Sequence, residues 1–211
     1  MSLVAYRFRV FALTAIGLMT GLMSSSQAQE AAPEQEFIAI LQSDGPEADK
    51  ALACKKLAVV GSEAAVPELA KLLTNERLAS WARIALEAIP GPAADEALRS
   101  ATGSLDGLLL VGVVNSIGVR RDAGAVEVLS SLMDHQDALI ASSASVALGR
   151  IGNEAATVKL LASLPGARPE VRSAVAEACV LCAERALAAG NSAGATTIYD
   201  QVRVADVPKQ R

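Results

Sequence analysis

The sequence predicts an all-α fold in which pairs of short helices stack into a solenoid. Three observations support this: the composition, the lack of strand-like segments, and a repeat of about 30 residues. The chain is 52% hydrophobic but only 3% aromatic, and its apolar residues are mostly Ala, Leu and Val. Alanine has the highest helix propensity, and it lets neighbouring helices approach closely. No run rich in Ile, Thr, Tyr or Phe, as strands have, occurs along the chain.

The repeat appears when residues are aligned at shifts of 29, 31 and 31 positions. Four rows of similar residues then form. Two rows hold large apolar residues, one holds alanines, and one holds small or helix-capping residues, which predicts a turn and the N-cap of a second helix. The rows are Leu57, Leu86, Ile117 and Leu148; Leu69, Leu98, Leu129 and Leu160; Ala65, Ala94, Ala125 and Ala156; and Ser62, Gly91, Asp122 and Asn153.

The first 28 residues are predicted to be a secretory signal peptide. Arg7 and Arg9 precede a nearly unbroken apolar stretch over residues 10–23, which is shorter than the roughly 18–20 residues that span a bilayer. The small residues Ser26 and Ala28 follow it. We expect cleavage after Ala28, a periplasmic or secreted location, and no membrane span afterwards. An uncleaved membrane anchor is the alternative.

The charge balance of the chain excludes a nucleic-acid-binding surface. Loss of Arg7 and Arg9 leaves 17 of the 19 basic residues against 23 acidic ones, so the net charge moves from −4 to −6. Binding to a phosphate backbone needs clustered Lys and Arg, whereas the basic residues here are scattered among acidic ones. We therefore expect no nucleic-acid partner.

Residues 29–45 are predicted to be an N-terminal cap, and residues 46–167 to be four repeats. The cap contains one helix, near 34–42. Each repeat contains a first helix, a tight turn and a second helix, and it shares its core with the next repeat because a unit of this length cannot bury its own apolar face. First helices are expected near 47–59, 76–89, 105–118 and 137–150, and second helices near 63–73, 92–101, 122–133 and 153–164.

The C-terminal region departs from the repeat, as terminal units usually do. Residues 168–206 are predicted to be a degenerate helical hairpin, with a long helix near 169–189 and a shorter one ending near Val204. Residues 207–211 are a tail or the truncated start of a further repeat. Ile198 and Val202 are expected to lie partly uncovered there, which would allow self-association through this end.

Two segments at the repeat boundaries have a recognisable pattern: residues 61–69, GSEAAVPEL, and residues 147–156, ALGRIGNEAA. They resemble bacterial HEAT-like repeats of the phycobilin-lyase type, and the resemblance covers about 46–165. In the C-terminal hairpin, the order Gly190, Ala195, Tyr199 is similar to a tetratricopeptide repeat. The resemblance implies the fold but does not identify an activity. Such repeats occur in scaffolds, in bilin lyases and as segments of larger exported proteins.

The cysteine pair Cys179 and Cys182 is the motif with most chemical potential. Covalent haem attachment needs a histidine at position 183, which is alanine. A redox dithiol needs its first cysteine at a helix N-terminus, whereas this pair falls in the middle of a predicted helix. A zinc site needs two more ligands, and Cys54 and His135 are the remaining candidates. We therefore interpret the pair as buried structural thiols and predict no metal or cofactor.

Three other residues are candidates for a functional site. His135 falls in a polar loop over residues 133–137, where no nucleophile or orienting acid accompanies it. Trp81 and Tyr199 stand out because aromatic residues are few. Tyr199 is expected to pack within the C-terminal hairpin, whereas Trp81 is a candidate for contact with a partner. No catalytic, cofactor-binding or metal-binding residue is predicted.

These observations together predict an exported scaffold that binds proteins and has no catalytic activity of its own. We expect the second helices to form the extended binding surface. The alternative is an accessory repeat segment of a larger exported enzyme, or a bilin-lyase-like protein that handles a chromophore. The identity of the protein partner does not follow from the sequence.

Overall fold

The computed structural model describes residues 33–205, and every regular element in that range is helical. The signal peptide predicted over residues 1–28 and the tail predicted over 207–211 lie outside these residues. The all-α prediction is confirmed for the described part. Eleven α-helices follow one another there: α1 33–42, α2 Glu47–Val60, α3 Val66–Lys71, α4 Ala79–Ala88, α5 Pro92–Ala101, α6 Gly107–Arg120, α7 Val126–Leu132, α8 Ala138–Ile151, α9 Glu154–Ser163, α10 Pro169–Ala188 and α11 Ser192–Val204.

The helices pack against their neighbours in two rows. In one row α2, α4, α6, α8 and α10 each contact the next; we call these the first helices. The second helices are α3, α5, α7 and α9, and they contact the first helices beside them. In addition, α3 contacts α5, and α7 contacts α9. The last helix, α11, packs against α10. The core therefore lies between the two rows.

All twelve residues of the three apolar rows are fully buried, with 0% exposed surface. Each first helix contributes its row leucine or isoleucine, and each second helix contributes a leucine and an alanine near its start. The alignment at shifts of 29, 31 and 31 residues is thereby confirmed as a set of equivalent core positions. Burial of these side chains is the main source of stability for such a stack.

The fourth row lies at the starts of the second helices. Gly91 and Asn153 are the N-caps of α5 and α9, and Ser62 and Asp122 cap the short 3-10 turns that lead into α3 and α7. Ser62 accepts a hydrogen bond from the Ala64 amide at 3.2 Å, and Asn153 accepts one from the Ala156 amide at 2.8 Å. Asp122 caps in the same way. Gly91 caps α5 with a φ of 94°, a left-handed conformation that glycine adopts without strain.

Helix α4 begins at Ala79, three residues later than the predicted helix at 76–89. The Asn75 side chain is the physical reason. Its Oδ1 accepts hydrogen bonds from the amides of Arg77 and Leu78, at 2.9 and 3.1 Å. A side chain that satisfies backbone donors in this way competes with the first turn of a helix, so residues 76–78 form a capped turn instead.

Two glycines allow the first helices α6, α8 and α10 to approach closely. A methyl group at Gly118 would lie 2.9 Å from the Ala147 Cα, and one at Gly149 would lie 2.8 Å from the Ala178 Cα. Such distances are too short for a carbon–carbon contact. Glycine is therefore required at both positions because two helix backbones meet there.

Arg120 joins three elements at the end of α6. Its guanidinium donates to the backbone oxygens of Leu86 and Ile89, at 2.7 and 2.6 Å, at the C-terminal end of α4. It also pairs with Asp95 of α5 at 2.5 Å, and the Arg120 side chain is only 9% exposed. A cation is favourable at a helix C-terminus, where carbonyl groups lack partners. Arg120 thus fixes α4, α5 and α6 relative to one another.

The C-terminal hairpin is better covered than the sequence predicts. Ile198 is 6% exposed and buried in the core, which corrects the expectation that it lies uncovered. Val202 is half-buried and packs against the same core. The reason is that α11 folds back along α10, so that its apolar side is covered within the chain.

Candidate binding surface

The exposed apolar side chains of the described residues are concentrated on the first helices. Of the twelve large apolar residues that are exposed, ten lie on α2, α4, α6, α8 or α10. Eight of these ten form what we call the first-helix face. They are Leu52, Val59, Trp81, Ile84, Leu108, Val119, Leu139 and Leu181.

These eight residues point in one direction. Relative to the buried row residue of its own helix, each lies nine, five or two positions before it, or two positions after it. At 3.6 residues per turn these offsets fall within an arc of about 60°, opposite the buried row. In α10 the position equivalent to Leu57, Leu86, Ile117 and Leu148 is occupied by the buried Cys179. Each first helix therefore has one apolar side in the core and, opposite to it, an exposed side that carries apolar side chains together with charged ones.

Trp81 lies near the N-terminal end of this face. Its side chain is 40% exposed, and Ile84, one turn further along α4, is 48% exposed. Leu52 occupies the equivalent position of α2 and is 54% exposed. A large aromatic ring beside two aliphatic side chains is the kind of group that anchors protein partners. The sequence-based suggestion that Trp81 contacts a partner is consistent with this exposure.

The second helices have a different exterior. Their exposed positions are mostly charged or small, as at Glu96, Glu127 and Ser131. Among the second helices Val158, at 59% exposed, is the one exposed large apolar residue. The extended apolar surface thus lies on the first helices, whereas the sequence predicted the binding surface on the second helices.

A partly buried polar cluster supports α4 and α6 beside the first-helix face. Arg83 donates to the backbone oxygen of Gly112 at 3.0 Å and to Ser116 Oγ at 3.2 Å. The Ser116 hydroxyl donates to Glu87 Oε1 at 2.6 Å, and Ser116 is fully buried. Gly112 makes room for the guanidinium, because a methyl group there would lie 2.7 Å from Arg83 Nε. The cluster holds the two helices in a fixed relation.

Charged residues accompany the apolar ones at both ends of the face. On α2 the exposed Lys55 and Lys56 lie beside the apolar residues. On α10 the exposed Glu170, Glu177 and Glu184 recur every seven residues, so they lie along one side of the helix. The α10 end of the face therefore exposes three acidic residues, whereas the α2 end exposes the acidic Glu47 and Asp49 as well as the two lysines.

Cys179 and Cys182 lie in the middle of α10, as predicted, and they are 0% and 3% exposed. Both are free thiols, as is the buried Cys54. Burial raises the pKa of Cys179 to about 12 and that of Cys54 to about 11. Burial also raises the pKa of Cys182. The thiolate is the reactive form, and these environments disfavour it.

We expect all three thiols to be unreactive in the folded protein. At pH 8 a thiol reagent such as DTNB should modify few of them, because each is neutral and covered, whereas protein unfolded in guanidinium should release three equivalents at once. The measurement is the time course of absorbance with and without denaturant. Rapid modification of Cys179 or Cys182 in the folded protein would contradict a structural role.

His135 lies in the turn between α7 and α8, within the predicted loop. Its Nδ1 accepts a hydrogen bond from the Asp137 amide at 3.1 Å, and its backbone oxygen accepts one from Arg168 at 2.6 Å. These bonds shape the turn and join it to the start of α10. Tyr199 is half-buried against the core, as expected for a packing residue.

A cleft of about 800 Å³ lies between α9, α10 and α11. Cys182 and Arg185 of α10 line it, together with Glu154 and Thr157 of α9 and Thr197 of α11. Arg185 donates to the Ile151 backbone oxygen at 2.8 Å, at the C-terminal end of α8. The arginine therefore has a structural partner within the cleft.

Within residues 33–205, no three His, Cys, Asp or Glu side chains are grouped so that they could hold a metal ion. None of the helices in the same range is long and apolar enough to cross a membrane.

Comparison with known proteins does not place the chain in a family. No protein-family model matches the sequence, and no curated protein matches it significantly. Among solved structures, the crystal structure of an engineered protein is similar over 81% of this chain and 93% of that chain, with 19% sequence identity and a TM-score of 0.45.

Proposed function

We propose that the protein is an exported α-solenoid of HEAT-like repeats that acts as a scaffold, binding protein partners through the first-helix face. The observation that carries the proposal is the alignment of eight exposed apolar side chains on one side of the five first helices. Apolar side chains that a soluble protein exposes together on one face commonly mark a site of interaction. Export is supported by the residues that resemble a signal peptide.

Two further features support the solenoid arrangement. The fully buried rows repeat at nearly constant spacing, and each first helix contacts the first helix of the next unit. A stack of this kind gives an extended surface on which each unit contributes a few side chains.

The test is affinity capture from the native cell envelope with three forms of the protein. The wild type and Val158→Glu, which places a charge on an exposed second-helix position, should capture the same proteins. Trp81→Glu should lose most of them, because a charge in the centre of an apolar contact is costly to bury. Equal capture by all three forms would show that the first-helix face is not the binding surface.

A further inference from the structure

We infer that the cleft between α9, α10 and α11 binds a small aliphatic carboxylate, whose charged group pairs with Arg185. None of the residues that line this cleft belongs to the first-helix face, so the inference is independent of the proposed scaffold function. It rests on a comparison of Arg185 with Arg120, two arginines that contact equivalent positions in different repeats.

The two arginines bind the same carbonyl group of their repeats. Arg120 of α6 donates to the Ile89 backbone oxygen at 2.6 Å, and Arg185 of α10 donates to the Ile151 backbone oxygen at 2.8 Å. Ile89 and Ile151 occupy equivalent positions, since two shifts of 31 residues relate them. Each arginine therefore lies at the C-terminal end of a first helix, where a positive charge is favourable.

The carboxylate beside Arg120 has no counterpart beside Arg185. Asp95 of α5 pairs with Arg120 at 2.5 Å, and the same two shifts place Thr157 at the equivalent position of α9. Thr157 lines the cleft together with Arg185. Among residues 33–205 no carboxylate forms an ion pair with Arg185. The position that a carboxylate fills in one repeat is therefore open to a ligand in the other.

The charge of Arg185 is poorly compensated within the described chain. The residue is half-buried, and its bond to Ile151 uses one N–H donor of a guanidinium that has several. Burial lowers the pKa of Arg185, and the positive charge of the neighbouring Arg121 lowers it further. Glu154 also lines the cleft, but it is exposed and does not pair with Arg185. An anion bound beside Arg185 offsets both the burial and the repulsion from Arg121.

The rest of the cleft suits a short aliphatic chain. Its volume is about 800 Å³, within the range of about 300–1,000 Å³ that small-molecule sites have. Val158, Ala186 and Ile198 provide apolar lining. A guanidinium recognises a carboxylate through paired hydrogen bonds, and the apolar lining receives the chain attached to it. These dimensions favour a free organic acid over a polypeptide as the ligand.

The experiment is an NMR titration of the isotope-labelled, purified protein with hexanoate, and with hexanamide as the neutral control. Hexanoate should shift the Nε–Hε resonance of Arg185 and the amide resonance of Thr157 until the site is saturated. Hexanamide should bind at least about tenfold more weakly, because it lacks the charge. The absence of a saturable shift with hexanoate would overturn the inference. So would equal binding of hexanamide, or equal shifts at Arg77, which lies outside the cleft.

Thr157→Asp supplies the carboxylate from within the chain and should block the site. Aspartate is favourable near a helix N-terminus, so the variant should fold, and hexanoate should bind it about tenfold more weakly or less because of like-charge repulsion. Thr196→Asp on α11 is the matched control. Like Thr157, Thr196 donates to the backbone oxygen four positions before it, at 2.9 Å, but it does not line the cleft. This variant should bind hexanoate as the wild type does.

Thermal unfolding identifies any loss of folding, and the comparison of hexanoate with hexanamide on the wild type tests the site even if Thr157→Asp does not fold. Unchanged hexanoate binding by folded Thr157→Asp would overturn the inference. Tighter binding of acetyl-alanyl-leucine, a peptide with a free carboxylate, would contradict a small acid as the ligand. None of these results alters capture by Trp81→Glu, which tests the first-helix face separately.

Discussion

Leu129→Ala should lower the free energy of unfolding by about 2–5 kcal/mol, the usual range for truncating a core leucine. Leu129 is fully buried on α7, in the row shared with Leu69, Leu98 and Leu160. Its removal leaves a cavity between the two rows of helices. Chemical denaturation followed by circular dichroism measures the effect.

Lys71→Ala is the control for this prediction. Lys71 lies on α3, and its side chain is 68% exposed and paired with Glu68 at 2.8 Å. Exposed ion pairs contribute about 0–1 kcal/mol, so this variant should unfold nearly as the wild type does. If the two substitutions cost the same, the assignment of the buried row is wrong.

Arg120→Met should destabilise the protein by about 2–4 kcal/mol, because it leaves backbone carbonyls and a carboxylate without their partner. Methionine keeps most of the side-chain length, so the loss falls on the hydrogen bonds to Leu86 and Ile89 and on the ion pair with Asp95. Urea unfolding gives the change, and a cycle with Asp95→Asn separates the ion pair from the carbonyl contacts.

Arg203→Met is the matched control for Arg120. Arg203 also pairs with an aspartate, Asp200, at 3.1 Å, but the side chains of Arg203 and Asp200 are 77% and 59% exposed. Solvent screens such a pair, and its removal should cost less than about 1 kcal/mol. An equally small effect at Arg120 would mean that water replaces its bonds to the end of α4.

The helix pairs and their core rows could be predicted from the sequence because they depend on local pattern. Leu57, Leu86, Ile117 and Leu148 repeat at the spacing of one structural unit, and a side chain that every unit buries leaves a periodic signal. The N-caps of the second helices were predictable for the same reason, since Ser, Asp and Asn satisfy free amides wherever a helix begins. The late start of α4 was missed because the Asn75 side chain bonds to the following turn.

The exposed first-helix face and the contacts that hold neighbouring helices together depend on residues about 30 positions apart, which the local pattern does not encode. Trp81, Leu108 and Val119 are apolar, and their sequence positions do not distinguish a second buried side from an exposed one. Leu52, Trp81, Gly112 and Ser143 occupy equivalent positions of four first helices but are different residue types, and at Gly112 the space is taken by the Arg83 side chain. Arg120 occupies the position that Ile151 has in the next repeat, so the repeat does not indicate its role. That role depends on the backbone carbonyl groups at the end of α4, which lie next to Arg120 only in the folded protein. Exposure is a property of the assembled rows of helices, so the first-helix face emerges only when α2, α4, α6, α8 and α10 are packed side by side.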